Sequence, residues 1–285
     1  MKLLRFGKSG DEKPGIAEGG IYYDVSSLGE DHDESFFANQ GLKRLIDFVI
    51  KNKARLPLVP EGTRLGCPIN KPSKIVCIGL NYSDHARETK ADIPSEPIIF
   101  LKATTALTGP FDHIIIPKNS TKTDWEAELA VVIGKRCSYI SESEALEDIA
   151  GYVLHNDVSE RSFQLERCGT WDKGKGCDSF APIGPFLVTQ DEVPNINSAR
   201  LWLKVNGNTM QDSNTSNLIY KIPFLISYVS QFMTLLPGDV ISTGTPAGVG
   251  MGFSPSIYLK DGDTVELGIE GLGVSKQVAK DYSPI

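Results

Sequence analysis

The chain has 285 residues, of which 40% are hydrophobic and 23% are charged, and its formal net charge at pH 7 is -7. This length allows one large domain, or a large and a small one, around a sizeable core. The negative charge argues against a nucleic-acid-binding surface, because phosphate binding needs a concentrated positive field. No apolar run approaches the roughly 20 residues that span a bilayer, and the N-terminus lacks a signal-peptide apolar region. We therefore expect a cytoplasmic protein with neither nucleic acid nor membrane as a partner.

The five cysteines are odd in number and scattered, with no C-x-x-C pair among them. They are Cys67, Cys77, Cys137, Cys168 and Cys177. This usage predicts free thiols in a reducing compartment. A thiol nucleophile at Cys168 or Cys177, which lie in a glycine-rich segment, is a minor alternative.

Residues 1–70 have the pattern of a small α/β unit. Two short strands are predicted over 3–6 and 21–25, on either side of a polar turn region at 7–20. Leucine, isoleucine and valine then recur between 42 and 49 at the i, i+3, i+4 and i+7 spacing of one buried helix face. These features predict two strands followed by one amphipathic helix.

A proline-rich segment follows this unit. The prolines between 55 and 74 exclude a regular helix and predict a linker. We therefore predict a small N-terminal domain at 1–70 and a large domain at 71–285.

The large domain is rich in short strands separated by turn residues. Strands are predicted over 74–78, 97–101, 114–116, 129–133, 152–157, 186–189, 201–205, 239–242 and 264–269. Helices are predicted over 141–150 and 222–233. Because few connections carry helices, the pattern favours an α+β fold that is mainly β, with an antiparallel or mixed sheet, over a wound parallel sheet.

Two carboxylates stand two residues apart where an apolar run begins. Strand alternation sends Glu126 and Glu128 to the same side, where like charges repel unless something compensates them. Asp157 ends another predicted apolar strand and offers a third carboxylate. An oxygen-only set suits Mg²⁺ or Mn²⁺ and disfavours structural zinc. The alternative is a solvated strand edge; His155, on the same strand face as Asp157, is either a further ligand or, the safer interpretation, a core histidine.

A histidine and a glutamate lie three residues apart after the strand at 74–78. If a short helix starts at Ser83, His85 and Glu88 share one face of it. The carboxylate would then orient the ring, so that the other ring nitrogen could act as a general base toward water. The alternative is a solvated turn.

A lysine flanked by two glycines follows an arginine and a glutamine. Gly174 and Gly176 would let the backbone come close to whatever Lys175 contacts. Near a metal and acids, Lys175 could hold an anionic substrate or steady an oxyanion, with Arg161 and Gln164 close in sequence. A flexible loop with solvated lysines is the alternative.

A second glycine-rich loop covers 242–250. It is neither a Walker loop nor a dinucleotide-binding fingerprint, because the required lysine and helix are missing from the pattern. Its amides and the Thr245 hydroxyl could still bind a carboxylate.

Taken together, these motifs resemble the fumarylacetoacetate hydrolase family, and in particular its smaller bacterial members that act on diketo acids. The resemblance covers roughly residues 74–280, with the motifs in the family's order. They are Gly79-Leu80-Asn81-Tyr82 with His85, Phe100-Leu101-Lys102, Glu126-Ala127-Glu128, Asn156-Asp157, Arg161 with Gln164, Gly174-Lys175-Gly176 and Thr243-Gly244-Thr245-Pro246-Ala247-Gly248-Val249-Gly250. It implies a mixed β-sandwich roll, and a homodimer, since family members are commonly dimers.

The resemblance also implies roles for individual residues. The implied ligands of Mg²⁺ or Mn²⁺ are Glu126, Glu128 and Asp157. The implied catalytic residues are the water-activating pair His85 and Glu88 and the substrate-polarising Lys175. The implied substrate-binding residues are Tyr82, Lys102, Arg161, Gln164 and Thr245.

Two departures from the family pattern concern the substrate pocket. Ala103 follows Lys102 where proline is common, and Ser162 follows Arg161 where aspartate is usual. The pocket is therefore expected to differ from that of the best-known members. The segment 171–178 is similar to that of ureidoglycolate lyases and of hydrolases of 2,4-diketo-3-deoxy sugar acids.

The expected function is that of a metal-dependent hydrolase acting on carbon-carbon bonds in ketonic substances. It would cleave a 2,4-dioxo acid, either an acylpyruvate or a diketo sugar acid, to pyruvate and a second acid. Cleavage of ureidoglycolate, decarboxylation of a 2-oxo acid such as oxaloacetate, and a catalytically silent metal-binding or acid-binding protein remain as alternatives. The segment 79–90 could close as a lid over bound substrate.

Overall fold

The computed structural model of the chain describes residues 1–89 and 92–284. In this part of the chain the strands, in order, are β1 (Lys2–Phe6), β2 (Lys13–Glu18), β3 (Ile21–Asp24), β4 (Leu65–Gly66), β5 (Ile75–Gly79), β6 (Ile98–Lys102), β7 (Leu107–Thr108), β8 (Ile114–Ile116), β9 (Thr123–Asp124), β10 (Ala127–Ile133), β11 (Ile149–Asn156), β12 (Ser159–Glu160), β13 (Ala181–Pro182), β14 (Leu187–Val188), β15 (Arg200–Val205), β16 (Asn208–Asn214), β17 (Val240–Ser242), β18 (Thr264–Ile269) and β19 (Gly273–Asp281). The helices are α1 (Glu34–Ala38), α2 (Gly41–Asn52), α3 (Ser83–Thr89), α4 (Arg161–Leu165), α5 (Asp172–Lys175) and α6 (Ile222–Val229). The predicted α+β, mainly β class is confirmed.

A ten-stranded mixed sheet forms the centre of the fold, in the order β3-β2-β1-β14-β11-β10-β17-β5-β6 with β4 beside β1. β10 runs antiparallel to β11 and β17, whereas β17 and β5 are parallel. Every residue of β10 and β11 is buried, and their side chains are mostly apolar apart from Glu128, His155 and Asn156. The pairing of Ala127 with Asn156 brings the residues flanking these two strands, Glu126 and Asp157, to the same edge of the sheet.

A five-stranded sheet, in the order β16-β15-β18-β19-β8, packs on the central strands β10 and β11. Its β15 and β16 form a hairpin through Asn206 and Gly207, whose φ values of 51° and 81° match the turn that hairpins favour. The inner side chains of the two sheets, together with α6, form one continuous core. The result is the mixed β-sandwich roll that the resemblance implies.

The first 70 residues join the same central sheet. β1 pairs antiparallel with β14, so that Leu3 faces Leu187 across the two strands. Arg64 also joins the first 70 residues to the rest of the chain through ion pairs. Its guanidinium lies 2.8 Å from Glu12 and 2.6 Å from Asp112. A division into domains at residue 70 stays a prediction.

Four details of the predicted secondary structure are wrong. The predicted helix over 141–150 is a 3-10 turn at Ala145–Asp148 followed by β11, because Ile149 pairs with Ile133 and sheet pairing outweighs the local helix preference. The polar segment 7–20 contains β2, the linker contains β4, and the predicted helix over 222–233 ends at Val229.

All five cysteines are free thiols, as the sequence predicts. Burial raises the pKa of Cys177 to about 11, so this thiol is protonated at neutral pH and is a poor nucleophile. Among the described helices, none is long and apolar enough to cross a bilayer.

Candidate active site

Three buried carboxylates meet at the edge of the central sheet. One carboxylate oxygen from each of Glu126, Glu128 and Asp157 lies within 4.8 Å of the others. Glu126 precedes β10, Glu128 lies within it and Asp157 follows β11, so the antiparallel pairing of these strands creates the cluster. Burial, together with the charges of Asp157 and Glu126, raises the pKa of Glu128 well above its usual value. Three oxygen donors at this spacing fit a hard divalent cation.

Three cations surround the carboxylates. Lys175 Nζ lies 2.7 Å from Glu126 Oε2 and 2.8 Å from Asp157 Oδ2. Lys102 pairs with the other oxygen of Asp157 from behind and donates to the carbonyl of Val158. Burial favours the neutral acid, but Lys102 and Lys175 outweigh it and hold the pKa of Asp157 below its usual value.

Arg161 neutralises two acids at once. Its Nη2 lies 2.7 Å from Glu126 Oε1 and its Nε lies 2.8 Å from Asp124 Oδ2. Its Nη1 also donates to Gln164 Oε1 at 3.0 Å. The formal charge of the cluster is -1, because four carboxylates face three cations. The carboxylates are Asp124, Glu126, Glu128 and Asp157, and the cations are Lys102, Arg161 and Lys175. A divalent ion would make this charge positive, which suits an anionic ligand.

The ligand candidate Glu128 is held by the strand beside it. Ser242 Oγ and the amide of Gly244, 3.0 Å away, both donate to Glu128 Oε2. His155 Nδ1 lies 2.6 Å from the same Ser242 hydroxyl. Burial lowers the pKa of His155 to about 3, so its ring is neutral. His155 is therefore a core histidine that supports Ser242, and it does not belong to the carboxylate cluster.

The histidine-glutamate pair lies on α3, as the spacing predicts. His85 Nδ1 and Glu88 Oε2 are 3.0 Å apart, and the amide of Gly248 donates to Glu88 Oε1 at 2.8 Å. Leu80, three residues before α3, has φ of 50°, a strained conformation for leucine. The Asn81 side chain donates to the carbonyl of Thr243 at 2.8 Å. These bonds fix α3 against the loop that follows β17. Residue 90 of the possible lid lies outside the described residues.

The glycine-rich loop at 242–250 does bind carboxylates through its amides, but they are carboxylates of the protein itself. Besides its contacts to Glu128 and Glu88, it donates to Asp124 from the amide of Gly250 at 2.6 Å. The Thr245 hydroxyl donates to the carbonyl of Ala127 at 3.0 Å. The loop therefore organises the site from one side.

A cavity of about 220 Å³ opens above the cluster. It is lined by Ile78, Gly79, Leu80, His85, Phe100, Glu126, Glu128, Arg161, Gln164, Leu165, Trp171, Lys175, Thr245 and Met251. The Trp171 ring contacts the edge of Phe100, with centroids 5.3 Å apart. A Cβ atom at Gly79 would lie 2.5 Å from the Trp171 ring, so only glycine lets this ring cover the cavity.

Two residues predicted to bind substrate do not line this cavity. Lys102 is buried behind Asp157, and Tyr82 is fully buried, with a hydroxyl that has no hydrogen-bond partner within residues 1–89 and 92–284. Their substrate contacts stay predictions. Arg161, Gln164 and Thr245 do line the cavity.

No sequence pattern assigns a role in the site to Asp124, Leu165 or Met251, and Ser242 is included only as the first residue of the loop at 242–250. Asp124 adjoins the glutamate pair, and this nearness was the one available signal. The roles of the other three depend on contacts between distant segments.

The fold therefore brings buried carboxylates, cations and a histidine-glutamate pair together in one candidate active site. The family model for the fumarylacetoacetate (FAA) hydrolase C-terminal domain matches residues 74–278. The chain therefore belongs to the fumarylacetoacetate hydrolase family.

Individual relatives resemble the chain over its whole length. A Burkholderia cenocepacia protein named as a candidate hydrolase is 50% identical over 283 residues, which cover 99% of each chain. The solved fumarylacetoacetate hydrolase of Exiguobacterium antarcticum is 33% identical, with a TM-score of 0.85 and coverage of 99% of this chain and 100% of that one. The maleylpyruvate hydrolase of Sphingobium sp. SYK-6, solved with manganese(II) and pyruvate, is 27% identical, with a TM-score of 0.82 and the same coverage.

We expect Gly248→Ala to lower both stability and turnover. Gly248 has φ of 100°, and a Cβ atom there would overlap the carbonyl oxygen of Met210. The strain should cost more than about 1 kcal/mol of unfolding free energy, and the displaced amide should release Glu88. Gly207→Ala is the matched control, because Gly207 also has positive φ, at 81°, but has open space around it. Chemical denaturation and steady-state kinetics measure both effects; equal turnover in the two variants would contradict the role of Gly248.

Proposed function

We propose that the protein is a divalent-metal-dependent hydrolase that cleaves a carbon-carbon bond in a 2,4-dioxo acid, giving pyruvate and a second acid. The observation that carries this proposal is that Glu126, Glu128, Lys175 and His85 line one cavity. Asp157 pairs with Lys175 and Glu88 pairs with His85. The structural relative solved with manganese(II) and pyruvate supports it.

Glu126, Glu128 and Asp157 would hold Mg²⁺ or Mn²⁺, because all three offer oxygen donors within reach of one ion. Bound there, the ion supplies a Lewis acid that stabilises negative charge on the 2-oxo group of the substrate. Lys175 and Arg161 provide the positive charge that draws an acid into the cavity.

His85 acts as the general base. Its Nδ1 is held by Glu88, so Nε2 takes a proton from the water that attacks C4 of the substrate. Lys175, with Gln164 or Arg161, stabilises the oxyanion that forms at C4. The C3–C4 bond then breaks, its electron pair goes to C3, and the proton from His85 completes pyruvate there. The C4 acyl group leaves as a carboxylic acid.

Product analysis tests this proposal. The metal-loaded protein is incubated in ¹⁸O-labelled water with acylpyruvates, diketo sugar acids, oxaloacetate and ureidoglycolate. Hydrolysis gives pyruvate and a second acid that carries ¹⁸O in its new carboxylate. Release of CO₂ from oxaloacetate alone, or of urea and glyoxylate from ureidoglycolate alone, would replace the proposal with a decarboxylase or a lyase.

A further inference from the structure

We propose that the acyl group beyond the scissile bond is short and uncharged and has an apolar end. The inference rests on the proposed function, since it concerns the part of a 2,4-dioxo acid that leaves as the second acid. The chemistry of the cavity wall indicates which acylpyruvates and related acids would bind.

The cavity has a charged floor and an apolar rim. Glu126, Glu128 and Lys175 are 6%, 1% and 2% exposed, so the groups that would hold the reacting end of the substrate lie at the bottom. Leu165, by contrast, is 49% exposed although it lines the same cavity. The side chains of Leu80, Trp171 and Met251 are also partly exposed. An acyl group that runs from the floor toward solvent therefore passes between apolar side chains.

Among the residues that the structure describes, the cations that line the cavity both belong to the floor. Within residues 1–89 and 92–284 they are Arg161 and Lys175, and both already pair with carboxylates. The nearby cations Arg167 and Lys173 do not line the cavity: Arg167 lies over the ring of Phe163, 4.5 Å from its centroid, and Lys173 donates to the carbonyl of Arg167. A second carboxylate on the acyl group would lose water at the rim without gaining a described cationic partner.

The size of the cavity limits the acyl group further. Its volume of about 220 Å³ is below the roughly 300–1,000 Å³ of pockets that hold drug-sized ligands. Polar partners above the floor are few: the Thr245 hydroxyl already donates to Ala127, and Gln164 accepts from Arg161. A single hydroxyl is tolerated in an apolar wall at moderate cost, whereas a charge is not.

A matched pair of substrates tests the inference. 2,4-Dioxoheptanoate and 2,4-dioxoheptanedioate have the same chain length and the same reacting end, and differ in a terminal methyl group versus a carboxylate. We expect kcat/KM of the magnesium-loaded protein to be at least ~100-fold higher for the methyl-ended acid. Comparable values, or a preference for the diacid, would overturn the inference while leaving the proposed function standing.

Binding measurements separate the two proposals if turnover fails. Calorimetric titration of the magnesium-loaded protein with each acid gives a Kd that does not depend on cleavage. If neither acid is cleaved but the methyl-ended acid binds more tightly, the proposed hydrolysis is refuted and the preference for an apolar end is supported. Equal or weaker binding of the methyl-ended acid would refute the preference itself.

A positive charge introduced at the rim should shift the selectivity toward the diacid. Leu165 ends α4 and is half exposed, so Leu165→Arg can be accommodated without burying the new charge. We expect it to narrow or reverse the preference by at least ~10-fold in favour of the diacid. Leu165→Gln is the control, because it adds polarity at similar length without charge. An unchanged ratio in a folded Leu165→Arg protein, judged by its circular dichroism and melting temperature, would show that Leu165 does not contact the acyl end.

Discussion

Glu126→Gln is expected to remove metal-dependent turnover. Glu126 contributes one oxygen to the proposed metal site and also pairs with Lys175 and Arg161, so the neutral amide weakens three interactions at once. Loss of a group that merely orients a metal ligand typically costs 10–100-fold in metal affinity or activity. Loss of a direct metal ligand such as Glu126 should therefore lower kcat/KM by at least ~100-fold.

Metal titration by calorimetry, followed by kinetics at increasing Mg²⁺, measures this effect. Glu266→Gln is the matched control, because Glu266 is a partly exposed glutamate that pairs with Lys276 on the five-stranded sheet. Denaturation curves of both variants show whether the site remains folded, since Lys175 and Arg161 lose a partner in Glu126→Gln. Full activity of the unmodified protein in excess chelator would exclude the metal role of Glu126.

His85→Gln should spare metal binding and stop hydrolysis. His85 lies on α3 and is not one of the three carboxylates that would hold the metal, and its ring is oriented by Glu88. A positioned general base contributes about 10²–10⁴-fold to the rate, so kcat should fall by that factor while the Kd for Mg²⁺ stays within about twofold.

Two companion variants locate the effect. Glu88→Gln keeps a side chain of the same shape beside His85 but removes its charge, and should cause a smaller loss of kcat. His113→Gln changes an exposed histidine outside the cavity lining and should leave kcat unchanged. An unchanged kcat in His85→Gln would show that a group other than His85 is the general base.

The sequence predicts the carboxylate cluster well because period-two alternation is a local property. Glu126 and Glu128 share a side whatever surrounds them, and Asp157 ends a strand whose apolar run is plain in the sequence. The partners of these acids are less predictable. Lys102 reaches Asp157 across 55 residues and Ser242 reaches Glu128 across 114, and no local pattern encodes such pairings.

Errors in secondary structure have a similar origin. α4 and α5 have five and four residues, too few to show a helical period, and their packing on each other stabilises them. β16 is mostly polar and half exposed, so its apolar alternation is weak. The Asn206-Gly207 pair before it was the available signal for a hairpin.

The loop after β17 also determines which parts of this protein can evolve independently. Through Gly244, Gly248 and Gly250 it holds Glu128, Glu88 and Asp124, so a shift of the whole loop would disturb the proposed metal ligand Glu128 and the proposed base pair His85-Glu88 together. Leu165, on α4, stands outside this scaffold. If the two proposals hold, a single change at the rim would alter substrate choice, whereas a change in the loop would alter the proposed reaction groups.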